Sequence, residues 1–177
     1  SEVSNMPVML QLRIRACHVT GSFVARNNRE PLVSRTQVLQ EPNFDIEKFC
    51  LPPSTYLQEK KKVESRLPAA EKFIIENKLN ETFGPGSCDI GIITLGGHYN
   101  GVVRSLERLG MSDIYGNTKI PIYVMNVAYP AVPSEITNSC ADKQVVWVIE
   151  EGFPEAIEQA VQVALRPDNH TTNVKGK

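Results

Sequence analysis

Gly96 and Gly97 stand in the string "DIGIITLGGHYNGVVRSLERLG", Asp89 to Gly110, between an apolar run that reads as a strand and an amphipathic run that reads as a helix. A glycine turn at such a junction exposes backbone N–H groups at the positive end of a helix dipole, where phosphates and other anions are held. The string itself is G-G-H-Y-N-G. Gly96, Gly97 and Gly101 miss the first spacing of the dinucleotide fingerprint G-x-G-x-x-G, and no Lys follows them as a P-loop requires. Two readings stay open, a tight packing turn and an anion or cofactor contact, and the packing turn is preferred. Neither NAD nor ATP is expected to bind tightly.

Ligands of open α/β sheets sit beyond the carboxyl ends of the strands. Three such ends are readable, Thr94 to Gly97, Asn126 to Ala128 and Glu150 to Gly152, and parallel strands would bring them to one rim. The candidate contacts there are Thr94, Gly96, Gly97, Asn126 and Glu151. Acid–base chemistry would need the Glu150–Glu151 pair, but neighbouring residues at a strand end point to opposite sides. Glu151, just before Gly152 and Pro154, is expected to favour the N-terminus of the next helix rather than to catalyse.

The three histidines, His18, His98 and His170, are isolated; His98 reads as an exposed residue at a helix start. Cys17, Cys50, Cys88 and Cys140 show no C-x-x-C spacing, so neither a zinc site nor an iron–sulfur cluster is expected within the chain. Such scattered cysteines suit reduced thiols of a cytoplasmic protein. Trp147 reads as core. No catalytic residue and no metal ligand is assigned.

The elements that must carry these residues alternate from about Arg66 onward. "LPAAEKFIIENKLNETF" places Leu67, Ala70, Phe73, Ile74 and Phe83 mostly on one helical face. "CDIGIITL" is a strand buried on both faces. "YNGVVRSLERLG" carries a stripe of Val102, Val103, Leu106 and Leu109 and stops at Gly110. "IPIYVMNVA" lies between Pro121 and Pro130 as a second strand. "PSEITNSCADK" is a short helix with Pro133 in its first turn, and "QVVWVIEEG" is a third buried strand. "PEAIEQAVQVALR" lines up Ile157, Ala160, Val161, Ala164 and Leu165. The alternation predicts an α/β fold: a three-layer α/β/α sandwich around a mainly parallel, open, Rossmann-like sheet.

The first half is different. Met9 to Cys17 alternates apolar and polar residues like a half-exposed strand. The polar stretch after it holds Pro31, Pro42, Pro52 and Pro53 and reads as an extended connecting arm, with "EKKK" a solvated lead-in to the first helix. The predicted division is 1–62 strand and arm, 63–166 α/β domain, 167–177 linker stub. The 177 residues carry a net charge of −1, from 19 Lys+Arg against 20 Asp+Glu, which gives no broad attraction to nucleic acid or an anionic membrane. The longest apolar runs are too short to span a bilayer, and the sequons at Asn80 and Asn169 read as chance matches. The chain reads as a piece of a longer polypeptide, without a signal peptide.

Segment by segment, "HVTGSFVARNNRE", "YLQEKKKVESRLPAAEKFI", "LNETFG", "DIGIITLGGHYN", "IPIYVMNVAYPAVPSEI" and "VVWVIEEGFPEAIEQ" resemble the middle of indolepyruvate ferredoxin oxidoreductases, in their alpha subunit or a fused form. The resemblance covers about Leu12 to Lys177. It implies a domain like the C-terminal domain of transketolase, placed between a pyrimidine-binding and a diphosphate-binding domain. It further implies a parent enzyme that decarboxylates arylpyruvates oxidatively to acyl-CoA with thiamine diphosphate, Mg²⁺, iron–sulfur clusters and coenzyme A, and passes electrons to ferredoxin. The chain has no G-D-G thiamine motif and no cluster-ligand ladder. It is therefore expected to be inactive alone and to act in assembly, with other domains and a second subunit as partners. Apolar surface left by those partners would make it a homodimer or loose oligomer. The alternative is a stand-alone α/β small-molecule-binding or assembly module using the rim of Gly97, Asn126 and Glu151.

Overall fold

The computed structural model describes residues 1–25, 49, 51–167 and 171–177. The chain divides into two compact units, Ser1–Ala70 and Glu71–Lys177. Much of the expected arm, with Cys50, lies outside the described residues, as does His170.

In the first unit, the alternation from Met9 to Cys17 does not make a strand; α1 (Ile14–Cys17) is a single helical turn there. Alternation supplies a face but no ladder, and no strand is described in this unit for it to pair with. α2 (Ser54–Lys61) runs through a π-helical turn, Lys62–Arg66, into α3 (Leu67–Glu76). The "EKKK" run thus lies within helix rather than leading into it. Its charges are offset along the helix, where Lys60 meets Glu64 at 3.9 Å and Lys62 pairs with Glu59.

The second unit holds a five-stranded sheet in the order β1-β3-β2-β4-β5. The strands are β1 (Glu81–Phe83), β2 (Ile90–Leu95), β3 (Ile122–Met125), β4 (Val145–Ile149) and β5 (Asn173–Lys175). β2, β3, β4 and β5 pair in parallel, and β1 joins β3 antiparallel. Phe83, expected on a helix, belongs to β1. The tail, expected as a bare linker, contributes β5 beside β4. β2 and β3 are buried on both faces, as their continuous apolar runs require.

α4 (Tyr99–Arg108) lays Val102 and Leu106 on one face of the sheet, against Ile92, Ile122 and Val124. On the other face α5 (Pro133–Cys140) and α6 (Ala156–Leu165) cover Ile93, Tyr123, Met125, Val146 and Val148 with Ile136, Cys140, Ile157, Val161 and Leu165. The helix faces follow from the topology. The chain steps from β2 to β3 in one direction and from β3 past β2 to β4 in the other, so right-handed crossovers put α4 and α5 on opposite sides. The expected α/β/α sandwich with a mainly parallel sheet is thereby observed. Leu109 and Trp147 depart from their expected core positions, at 68% and 50% exposure. Leu109 lies past the last turn of α4, and Trp147 stands at an exposed position of β4.

Candidate functional site

The reversal of direction at β2 creates a switch point. The loop after β2 leads to one face, and the loop after its neighbour β4 leads to the other. In open α/β sheets the crevice between two such loops is where ligands bind. Here His98, at the entry to α4, faces Glu151, after β4, with Nε2 3.7 Å from Oε2. The His98 side chain is 19% exposed, against the expectation of an exposed capping residue, while Glu151 is 71% exposed.

Of the other rim groups, Thr94, Asn126 and Gly96 also make contacts within the fold. Thr94 is fully buried and its hydroxyl donates to the Ile149 carbonyl at 3.2 Å, tying β2 to β4. Asn126 donates through Nδ2 to the Leu79 carbonyl at 2.9 Å and to Glu81 Oε2 at 2.8 Å, tying β3 to the entry of β1. Gly96 lets the turn approach that amide: a Cβ there would lie 2.5 Å from Asn126 Oδ1. The packing reading of Gly96 therefore has a concrete cause, close approach to Asn126. Gly97 is exposed beside it.

The helix-capping carboxylate is Glu150, not Glu151. Glu150 accepts the backbone N–H of Ile157 at 2.9 Å and of Glu158 at 3.1 Å, satisfying two donors of the first turn of α6. Alternation at the strand end sends the two carboxylates apart, as expected, but the register assigns them in reverse.

A second polar centre lies on the α5 face, at residues with no sequence motif in common. Asn80 and Tyr123 are both buried. The Tyr123 hydroxyl donates to Glu135 Oε2 at 2.8 Å, and Asn80 Nδ2 donates to the same oxygen at 2.8 Å. Asn80 Oδ1 in turn accepts the Val127 N–H at 3.0 Å. Burial first, and then the hydrogen bond to Glu135, push the Tyr123 phenol well above its ordinary range. The three residues are 43, 12 and 55 positions apart, so no sequence motif links them. A recess of about 340 Å³ opens beside them, lined also by Thr82, Asn138, Ser139 and Lys143.

Cys140 is buried, and burial raises its thiol above the ordinary value; Cys17 is exposed and Cys88 partly buried. Among the described residues no three His, Cys, Asp or Glu side chains are placed to hold a metal ion, and no helix is long and apolar enough to cross a membrane.

Over 168 residues the chain is 27% identical to indolepyruvate oxidoreductase subunit IorA of Methanothermobacter thermautotrophicus, an overlap of 93% of the chain and 25% of that subunit. This chain is similar in sequence to part of an indolepyruvate oxidoreductase subunit. The IorA subunit of Methanothermobacter marburgensis is 24% identical over 179 residues, covering all of the chain and 27% of the subunit. The chain thus spans about a quarter of the length of the IorA relatives it matches, and the resemblance read from its segments is borne out. No family model matches it. Among solved structures, 2-oxoglutarate:ferredoxin oxidoreductase from Magnetococcus marinus aligns with 72% of the chain and 21% of its own length, at 21% identity and a TM-score of 0.46.

Proposed function

We propose that this chain is a non-catalytic domain of a thiamine-diphosphate-dependent 2-oxoacid:ferredoxin oxidoreductase acting on indolepyruvate or another arylpyruvate. The parent decarboxylates its substrate oxidatively to an acyl-CoA and passes the electrons to ferredoxin. The observation that carries this reading is the alignment with IorA, which takes in 93% of the chain but only 25% of the relative.

The described residues do not fit thiamine diphosphate, Mg²⁺ or a cluster. The rim carboxylate Glu150 is committed to α6, the four cysteines lie far apart in the sequence, and no metal-ligand group forms among the described residues. Those groups belong, in this reading, to other parts of a cytoplasmic enzyme. Residues 1–62 are then the arm from the preceding domain. Residues 63–166 form the transketolase C-terminal-like domain, and 167–177 lead to the diphosphate-binding domain, with β5 closing the sheet edge on the way. The rim of exposed Gly97 and Glu151 beside the half-buried His98 is a contact surface for those neighbouring domains or a second subunit.

The test is twofold. The reading frame around this segment is expected to encode a pyrimidine-binding domain before it and a G-D-G motif after it. The complete polypeptide, with any partner subunit, is expected to reduce ferredoxin in the presence of indolepyruvate and coenzyme A, while this chain alone does not. A frame without those domains, or turnover by the chain alone, would overturn the reading.

A further inference from the structure

The geometry points to the recess between α5 and the β1–β3 edge as a binding site for a small zwitterion of the amino-acid class, its cationic group on Glu135 and its anionic group on Lys143. The inference is independent of the reaction proposed above. Three observations carry it.

The Glu135 side chain is held in place before any ligand arrives. Its Oε2 takes both the Tyr123 hydroxyl and the Asn80 amide at 2.8 Å, and those two donors are themselves buried. Among the described residues, no hydrogen bond is made to its Oε1. A carboxyl group fixed through one oxygen, with the other available, is preorganised to accept from a cation.

Lys143 reaches the same recess because β2 carries no side chain beneath it. A Cβ at Gly91 would lie 2.6 Å from Lys143 Cδ, so the glycine leaves a channel for the apolar stem. The ammonium donates at 3.4 Å to the Ala141 carbonyl, a long contact for a group with three protons.

Glu135 and Lys143 line one recess of about 340 Å³ yet do not pair with each other. Opposite charges that share a partly buried space without meeting are complementary to a ligand that bears both signs. A simple carboxylic acid would answer Lys143 and leave Glu135 without a counter-charge; a simple amine would do the reverse. The exposed Asn138 amide at the mouth can supply a further donor to the ligand carboxylate.

The experiment is a calorimetric titration of the full polypeptide with each free proteinogenic amino acid as probe. The best binder is then compared with its decarboxylated amine and its deaminated acid. The expected result is saturable binding of at least one amino acid, with both analogues weaker by roughly tenfold or more, the loss of one charge-assisted contact. Glu135→Gln and Lys143→Met should each weaken binding by a comparable factor, and Lys143→Met, which keeps the stem over Gly91, should leave the unliganded melting temperature unchanged. Absence of binding by every amino acid would overturn the site. So would equal binding of the amine or the acid, or undiminished binding by the Lys143 variant. Because the readout is binding and not ferredoxin reduction, its failure is distinguishable from failure of the proposed reaction.

Discussion

Tyr123 is the residue whose chemistry the fold changes most. Its proton is bound more tightly in the folded state than in the unfolded chain, because burial and the Glu135 hydrogen bond both oppose the phenolate. The stability contributed is fully present below the unfolded value of about 10 and is lost as the pH rises above it. Urea unfolding midpoints should stay level to about pH 9 and fall beyond about pH 10, and Tyr123→Phe should flatten that fall. Parallel alkaline slopes for the two proteins would show that the phenol is not responsible. Glu150 and Glu151 make a second pair of residue-scale expectations. Glu150→Ala should cost about 1–2 kcal/mol by leaving two N–H groups of α6 without their carboxylate, and Glu151→Ala should stay within about 0.5 kcal/mol. Denaturant titration of both variants decides it. The sequence shows two adjacent carboxylates before a helix, but which one faces that helix depends on the register of β4 in the sheet. The Asn80–Tyr123–Glu135 network was illegible for a similar reason, since its members meet only when β3, α5 and the entry to β1 are assembled.

At the scale of elements, two helices end in the same way with different residues. After α4, the Gly110 N–H bonds to the Glu107 carbonyl and the Met111 N–H to Leu106, with Gly110 at φ +71°. After α3, the Lys78 N–H bonds to Ile75 and the Leu79 N–H to Ile74, with Lys78 at φ +49°. Both are Schellman caps, whose left-handed position suits glycine and strains a lysine by about 1 kcal/mol. Lys78→Gly is therefore expected to stabilise the protein by about 0.5–1 kcal/mol, read as a higher denaturant midpoint at unchanged slope. A lower midpoint would mean that the lysine side chain contributes more than its backbone strain costs. Gly110 announced its cap in the sequence and Lys78 did not, because only the glycine carries the signal. The strands divide likewise. β2 and β3 were legible as apolar runs because a central parallel strand is covered on both faces, and β4 was legible from the same kind of run although Trp147 leaves one of its faces partly open. β1 and β5 are edge strands of three residues, "ETF" and "NVK", too short to hold a period; their place is set by the neighbour that offers a ladder.

The two units of the molecule differ in how well they bury their own apolar residues. In Glu71–Lys177, two hydrophobic clusters fill the space on either face of the sheet. In Ser1–Ala70, Met9, Leu10, Leu12, Phe23 and Val24 are between 70% and 97% exposed. Side chains of this kind gain roughly 1.5–3 kcal/mol each when fully buried, so a run of them left in water favours association with any apolar surface within reach. In the proposed parent enzyme that surface belongs to neighbouring domains. In the isolated chain the available surface is a second copy. Light scattering of the isolated chain should accordingly show a dimer or loose oligomer whose mass falls on dilution. Replacing Met9, Leu12 and Phe23 together with Ser should shift it toward the monomer without lowering the unfolding midpoint of the α/β unit. A monomer at high concentration in the unmodified chain would mean that these side chains do not drive association, and the apolar run would then have to be satisfied within the chain itself.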